Sequence, residues 1–283
     1  MKRKMNKLFI LPALMLPLLF FSCDAQGDFN FFSLQDDVAF GEQLHEEILA
    51  NPEEYPVLER YASQNNQAIY TYVEDIMNRI LESNEIYNRD VFEWQVTIID
   101  KDVLNAFAAP GGYLYFYTGF LNFAGSEAEL AGVMAHEIAH SDRRHSTDRM
   151  TKVYGIQILW SILLGEEPTL MGELLANLTT GLGGLAFTRD NEYEADEYAL
   201  RYMYSVYDNP VVNRNYELRA MQDFFNRMED EYGVEGDGQL DFLRTHPYND
   251  DREANMTSIW EDLGSPVGVY YTDNHNAIKL LLQ

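Results

Sequence analysis

Residues 126–140, SEAELAGVMAHEIAH, constrain the fold more than any other stretch of the chain. Ser126 and Glu129 stand at capping-box spacing, and Leu130, Val133, Met134 and Ile138 recur at helical intervals, so the segment predicts a helix with an apolar face. His136 and His140 are four apart and rise from one side of that helix, where two imidazoles can reach one ion at about 2.0–2.1 Å. Glu137 lies beside His136, the place of the carboxylate that moves protons in His-Glu-x-x-His metalloproteases. The helix must therefore bury an apolar face while offering two nitrogen donors to a metal. A catalytic zinc then needs a third protein ligand and an open position.

The same segment does not supply it. A metzincin ligand set would need glycine and histidine where Arg143 and Ser146 stand, and His145, five residues past His140, is expected to face solvent or to back a ligand. A second charged helix, RDNEYEADEYALRYMY, offers Glu192, Glu194, Asp196 and Glu197. Glu192 and Asp196 share a face at i, i+4, so one can bind metal while the other orients a ligand histidine through its second ring nitrogen. Glu194 points roughly the opposite way.

Around these helices the chain reads as one globular domain. It has 283 residues, 46% hydrophobic, enough for a substantial core. Asp and Glu number 46 against 20 Lys and Arg, a formal charge of -26 that repels phosphate backbones and argues against nucleic acid as a partner. Lys2, Arg3, Lys4 and Lys7 precede an apolar run from Leu8 to Phe21 that Pro12 and Pro17 interrupt, the layout of a signal peptide over residues 1–22 and not of a membrane span. Without those four basic residues the balance is 16 against 46, a formal charge of -30. Cys23 is the sole cysteine, so no intramolecular disulfide forms. Its place after Ser22 resembles a bacterial lipobox, which implies acylation of Cys23 and a tether to a membrane surface.

Two scaffold helices are expected before the metal motif. One begins at Ser33 and Asp36, carries Val38, Leu44 and Ile48, and ends at "NP"; the other places Ile69, Val73, Ile76, Met77 and Ile80 on one face. WQVTIID and YLYFYTG read as paired strands with APGG between them as turn chemistry. VYGIQILWSILL is twelve residues long and suggests a buried helix or a lid.

Four stretches in order, NAFAAPGGYLYFYTGFL, SEAELAGVMAHEIAH, TRDNEYEAD and THPYNDDR, resemble the gluzincin endopeptidases that include the CAAX prenyl protease and the HtpX heat-shock protease, above all their exported bacterial relatives. The resemblance implies an α+β fold: a mainly helical, zincin-like metalloprotease domain over residues 23–283, with a small β-sheet beside the active-site helix. It implies one Zn2+ per chain held by His136, His140 and Glu192, Glu137 as general base, and Asp196 as the residue that orients a ligand. His246 and Arg252 become candidates at the cleft, either as oxyanion donors or, for His246, as the occupant of the water position in a latent state. Asn105, Ala106, Phe107 and Ala108 correspond to the strand beside the cleft, whose edge would pair with an extended substrate.

The long membrane segments and helical-repeat domain of some relatives are absent, which removes the basis for prenylated substrates and repeat-mediated docking. The expectation is a zinc-dependent endopeptidase that is exported, lipid-anchored and periplasm-facing. It would act on misfolded or misassembled envelope proteins. The rival is a chaperone or assembly factor with a structural or latent zinc site.

Overall fold

The computed structural model describes residues 22–23, 29–207, 209–210, 212, 214–232 and 241–283. The expected signal peptide lies, Ser22 apart, outside the described residues, as does the Cys23 side chain. The first elements are a two-residue ladder, β1 (Ser22–Cys23) against β2 (Phe29–Asn30).

Helix α1 (Leu34–Ala50) starts as read: Ser33 accepts from the Asp36 amide and Asp36 returns a bond to the Ser33 backbone. Its buried face is Asp37, Phe40, Gly41, Leu44 and Ile48, with Val38 only half-buried. Helix α2 (Gln64–Leu81) buries Ile69, Val73, Ile76, Met77 and Ile80, the set its periodicity selects.

The sheet departs from the expected hairpin. Strands β3 (Gln95–Ile99) and β5 (Tyr113–Tyr117) do pair, but in parallel, from Gln95 opposite Tyr113 to Ile99 opposite Tyr117. A third strand, β4 (Ala106–Ala109), runs antiparallel to β5 and makes the strand order β3-β5-β4. The APGG turn, with Pro110–Gly112 as a single 3-10 turn, joins β4 to β5. Gly111 has φ 77°, and a Cβ there would lie 2.6 Å from the Val38 Cα, so the turn both needs the left-handed conformation and presses on α1.

A short helix α3 (Thr118–Phe123) leads to α4 (Glu127–Asp142), the predicted metal helix, capped by Ser126 on the Glu129 amide. The expected single apolar face proves to be burial on every side: all sixteen residues of α4 are buried. The sheet lies along one side and α2, α8 and α9 along the others. Four alanines, Ala128, Ala131, Ala135 and Ala139, and Gly132 keep it slim; a Cβ on Gly132 would lie 2.8 Å from the Met221 Cβ of α9.

After α4 come α5 (His145–Tyr154), α6 (Ile156–Leu163) and α7 (Pro168–Thr180). Within α6, Leu159 and Ile162 are buried while Ile158 and Trp160 are exposed, so this apolar segment lies along the surface with one side in the core. Among the described residues no helix is long and apolar enough to cross a membrane. Helix α8 (Arg189–Ser205) has a capping box of Thr188 and Asn191 and packs along α4. Helices α9 (Ala220–Tyr232), α10 (Asp241–Thr245), α11 (Asp250–Asp262) and α12 (Thr272–Lys279) complete a mainly helical α+β architecture.

Candidate metal centre

On α4, one turn apart, His136 and His140 bring their Nε2 atoms to 2.9 Å of each other. Helix α8 supplies Glu192, whose Oε1 lies 3.4 Å from His140 Nε2 and whose Oε2 lies 3.6 Å from His136 Nε2. Just beyond α10, His246 places Nδ1 3.3 Å from His136 Nε2 and 3.1 Å from Glu192 Oε1. Ligands at 2.0–2.1 Å from a tetrahedral zinc are about 3.3 Å from one another. The four side chains, each at most 1% exposed, turn their donor atoms to one point at that spacing. Three imidazoles and a carboxylate facing one another out of water form a donor set that suits a divalent cation.

Two further carboxylates complete the surroundings. Asp196, one turn beyond Glu192, lies with Oδ1 3.0 Å from His136 Nδ1, which leaves the Nε2 lone pair for the centre. Glu137 is fully buried; its Oε1 is 3.3 Å from His246 Nε2, and among the described residues neither carboxylate oxygen makes a well-aligned hydrogen bond. Burial pushes the Glu137 carboxyl up against the pull of His246 and His136, the direction that makes it a better proton acceptor near neutrality.

Arg252 is wholly buried beneath this group. It donates from Nε and Nη2 to the two oxygens of Asp196 at 2.7 and 2.6 Å, from Nη1 to the Pro247 carbonyl at 3.0 Å, and its Nη1 also contacts Glu192 Oε2. Burial alone would raise the Glu192 carboxyl, but Arg252, His246, His136 and His140 hold it well below the usual carboxylate range. Burial disfavours charge on His136, yet Asp196 and Glu192 outweigh it and push that imidazole up to about 9. A cation entering the cluster must displace that proton, so metal affinity rises with pH.

The break after α4 gives His145 its place. Arg144 takes the left-handed conformation at φ 62° and is held by Asp37 of α1 at 2.5 Å and by the Phe32 carbonyl at 2.6 Å. The chain leaves the helix there, and His145 opens α5 with its ring folded back, Nδ1 2.9 Å from His140 Nδ1. Of the two expectations for His145, solvent exposure is excluded, since it is 3% exposed. Glu194 points away from the cluster, to Arg143 Nε at 2.8 Å and His145 Nε2 at 3.3 Å.

Beside the centre runs β4. Tyr117 N donates to the Asn105 carbonyl at 3.2 Å, which makes Asn105 and Phe107 the residues bonded to β5 and turns the backbone groups of Ala106 and Ala108 to the opposite edge. That edge is buried: Ser146 Oγ donates to the Ala108 carbonyl at 3.2 Å, and the Asn105 amide reaches the Thr179 carbonyl at 3.0 Å. Phe187 stacks on His140 with centroids 3.8 Å apart and planes at 20°. Its only sequence signal is its place one residue before the Thr188 cap, too weak to select it in advance.

Known proteins resemble the chain in the same region. The family model described as peptidase family M48 matches residues 67–259, more than half the chain. A putative beta-barrel assembly-enhancing protease of Vibrio cholerae is 31% identical over 198 residues, 66% of this chain and 38% of that protein. The mitochondrial metalloendopeptidase OMA1 of Arabidopsis thaliana is 32% identical over 155 residues, 54% of this chain and 29% of its own length. The beta-barrel assembly-enhancing protease of Escherichia coli K12 is 30% identical over 170 residues, 56% of this chain and 32% of that protein. The match thus spans about a third of the length of these curated relatives.

Proposed function

The chain belongs to peptidase family M48, a family of zinc metallopeptidases, and from that premise we propose that it is a zinc-dependent endopeptidase of protein quality control in the bacterial envelope. The observation that carries the reading is the buried convergence of His136, His140 and Glu192 beside the fully buried carboxylate of Glu137. Zinc, when bound by those three, supplies Lewis-acid polarisation of the scissile carbonyl and makes water acidic enough to ionise near neutrality. Glu137 accepts the proton from the attacking water and delivers it to the leaving amine, a task its raised carboxyl suits. Asp196 keeps His136 in the ligating tautomer, and Arg252 anchors both Asp196 and Glu192.

His246 stands where a fourth ligand would, which supports reading the conformation as a latent one. Opening would withdraw the segment after α10, freeing the position for the reacting groups and leaving His246 as the donor to the developing oxyanion, because the nitrogens Nε, Nη1 and Nη2 of Arg252 are engaged. If Ser146 and the end of α7 moved aside as well, the outer edge of β4 would be bared, and the backbone of Ala106 and Ala108 would bond an extended chain with little regard for its side chains. Unfolded or misassembled envelope proteins fit that mode of recognition, and the names of the bacterial relatives point the same way. Export through residues 1–22 and acylation of Cys23 would hold the domain at a periplasmic membrane surface, a reading supported by the layout of the N-terminal sequence.

The test is cleavage of denatured casein by the domain from Cys23 onward, with and without a chelator. Zinc-restored cleavage is expected; a zinc-loaded protein that cleaves no unfolded substrate would favour the second reading. That reading, an assembly factor with a latent zinc site, draws on the closed geometry around His246.

A further inference from the structure

We infer that His145 and Glu194 form a positioning relay that fixes the tautomer and the aim of the ligand His140. The inference rests on the reading of His136, His140 and Glu192 as zinc ligands. His140 turns Nε2 into the donor cluster, so for that atom to offer a lone pair the ring must carry its proton on Nδ1. Nδ1 faces only 2.9 Å of space before His145 Nδ1, so one of the two atoms donates and the other accepts. With His140 as the donor, His145 accepts on Nδ1 and carries its own proton on Nε2. That atom lies 3.3 Å from Glu194 Oε2, a carboxylate oxygen that can only accept when ionised.

Every proton in the row then has one consistent place, from His140 through His145 to Glu194. The opposite direction breaks it: His145 donating from Nδ1 would require His140 to be protonated on Nε2, with no lone pair toward the centre. The far end is pinned. Arg143 Nε holds Glu194 Oε1 at 2.8 Å, while its guanidinium lies over Tyr198 at 4.2 Å and Tyr87 at 5.1 Å.

The two ligand histidines of α4 are thereby oriented by different means. Asp196 addresses His136 directly, whereas His140 is reached through a second imidazole whose carboxylate is a quarter exposed. Arg144 at φ 62° is the device that makes this possible, because a helix continued through it would carry His145 away from the His140 ring. Phe187 stacks on the face of the His140 ring, with centroids 3.8 Å apart.

The experiment uses the domain from Cys23 onward with His145→Leu, which removes the acceptor, and His145→Asn, whose Oδ1 stands where Nδ1 stood. Zinc dissociation constants are measured by competition with a chromogenic chelator, and histidine tautomers by long-range proton-nitrogen NMR on the metal-stripped protein. Removing an outer partner of a ligand histidine weakens zinc about 10–100-fold. His145→Leu is expected to do so and His145→Asn to recover near wild-type affinity, with wild-type His140 protonated on Nδ1. His140 protonated on Nε2 in the wild type overturns the inference, and that measurement stands even where His145→Leu fails to fold. Equal zinc affinity in the leucine variant and the wild type overturns it too, as does an asparagine variant as weak as the leucine one. A wild-type domain that binds no zinc refutes the underlying reading and the relay together.

Discussion

Arg252→Met removes a cation that two buried carboxylates share. In the folded chain the guanidinium is fully buried, as are Asp196 and Glu192 to within 1%, and the bonds to Asp196 are 2.7 and 2.6 Å. Methionine is close in length and apolar, so the loss is electrostatic and not a cavity. Breaking a buried ion pair from one side costs about 3–5 kcal/mol, because the partner charge stays out of water without compensation. At about 2–4 °C per kcal/mol for a chain of this size, the metal-free domain should melt about 6–20 °C lower. Differential scanning calorimetry of the chelated protein measures it. Asp196→Asn in the Arg252→Met background removes one of the two stranded charges, so the double variant should be more stable than the sum of the single losses by at least about 1 kcal/mol. A melting shift under about 2 °C, or strict additivity in the cycle, would refute the assignment of Arg252 as the charge that holds both carboxylates in place.

Glu137→Gln should retain zinc and lose about 10²–10⁴ in casein cleavage, since the proton carrier goes while the ligands stay; unchanged turnover would remove Glu137 from the mechanism. His246→Ala should weaken zinc, because a fourth donor goes, and lower casein cleavage about 10²–10³-fold, because the oxyanion donor goes with it; raised cleavage would leave His246 as a blocking ligand alone. Gly132→Val drives side-chain atoms into Met221, with the Cβ alone at 2.8 Å, and overpacking of this kind costs about 1–3 kcal/mol in a urea titration. His275 is buried and neutral, with Nε2 donating to the Leu121 carbonyl at 2.9 Å, and burial lowers its pKa below 6.5. The unfolded chain therefore binds the extra proton first as pH falls below about 6.5, and stability should drop with acid there. In His275→Gln that limb should flatten, and an unaltered slope between pH 7 and 5 would exclude His275 as its source.

How far the sequence reveals the centre depends on whether a residue's role is local. The Ser126 cap, the four-residue spacing of His136 and His140, and the shared face of Glu192 and Asp196 all follow from helix geometry, and they can be read without the fold. Strand β4 is different. Its AFAA carries little β-branched character, and its pairing with β5 follows from the Gly111 turn and from register, so the strongly patterned β3 and β5 draw attention to themselves instead. The end of α4 is just as silent, because Arg143 and Arg144 are neither glycine nor proline; the stop comes from Asp37, more than a hundred residues earlier. Arg252 is a cleft candidate only through the resemblance, and its bonds to Asp196 and Glu192 appear only once α11 is packed against α8.

The helix without a solvent face has one more consequence. Its walls come from α2 before it and from α8 and α9 after it, and the donor set runs from residue 136 to residue 246, locked from beneath by residue 252. Such long-range closure is slow and comes late, after most of the polypeptide has been made. A half-made chain carries the histidines but not the clamp, so the donor set is whole only once the chain has been made through residue 252.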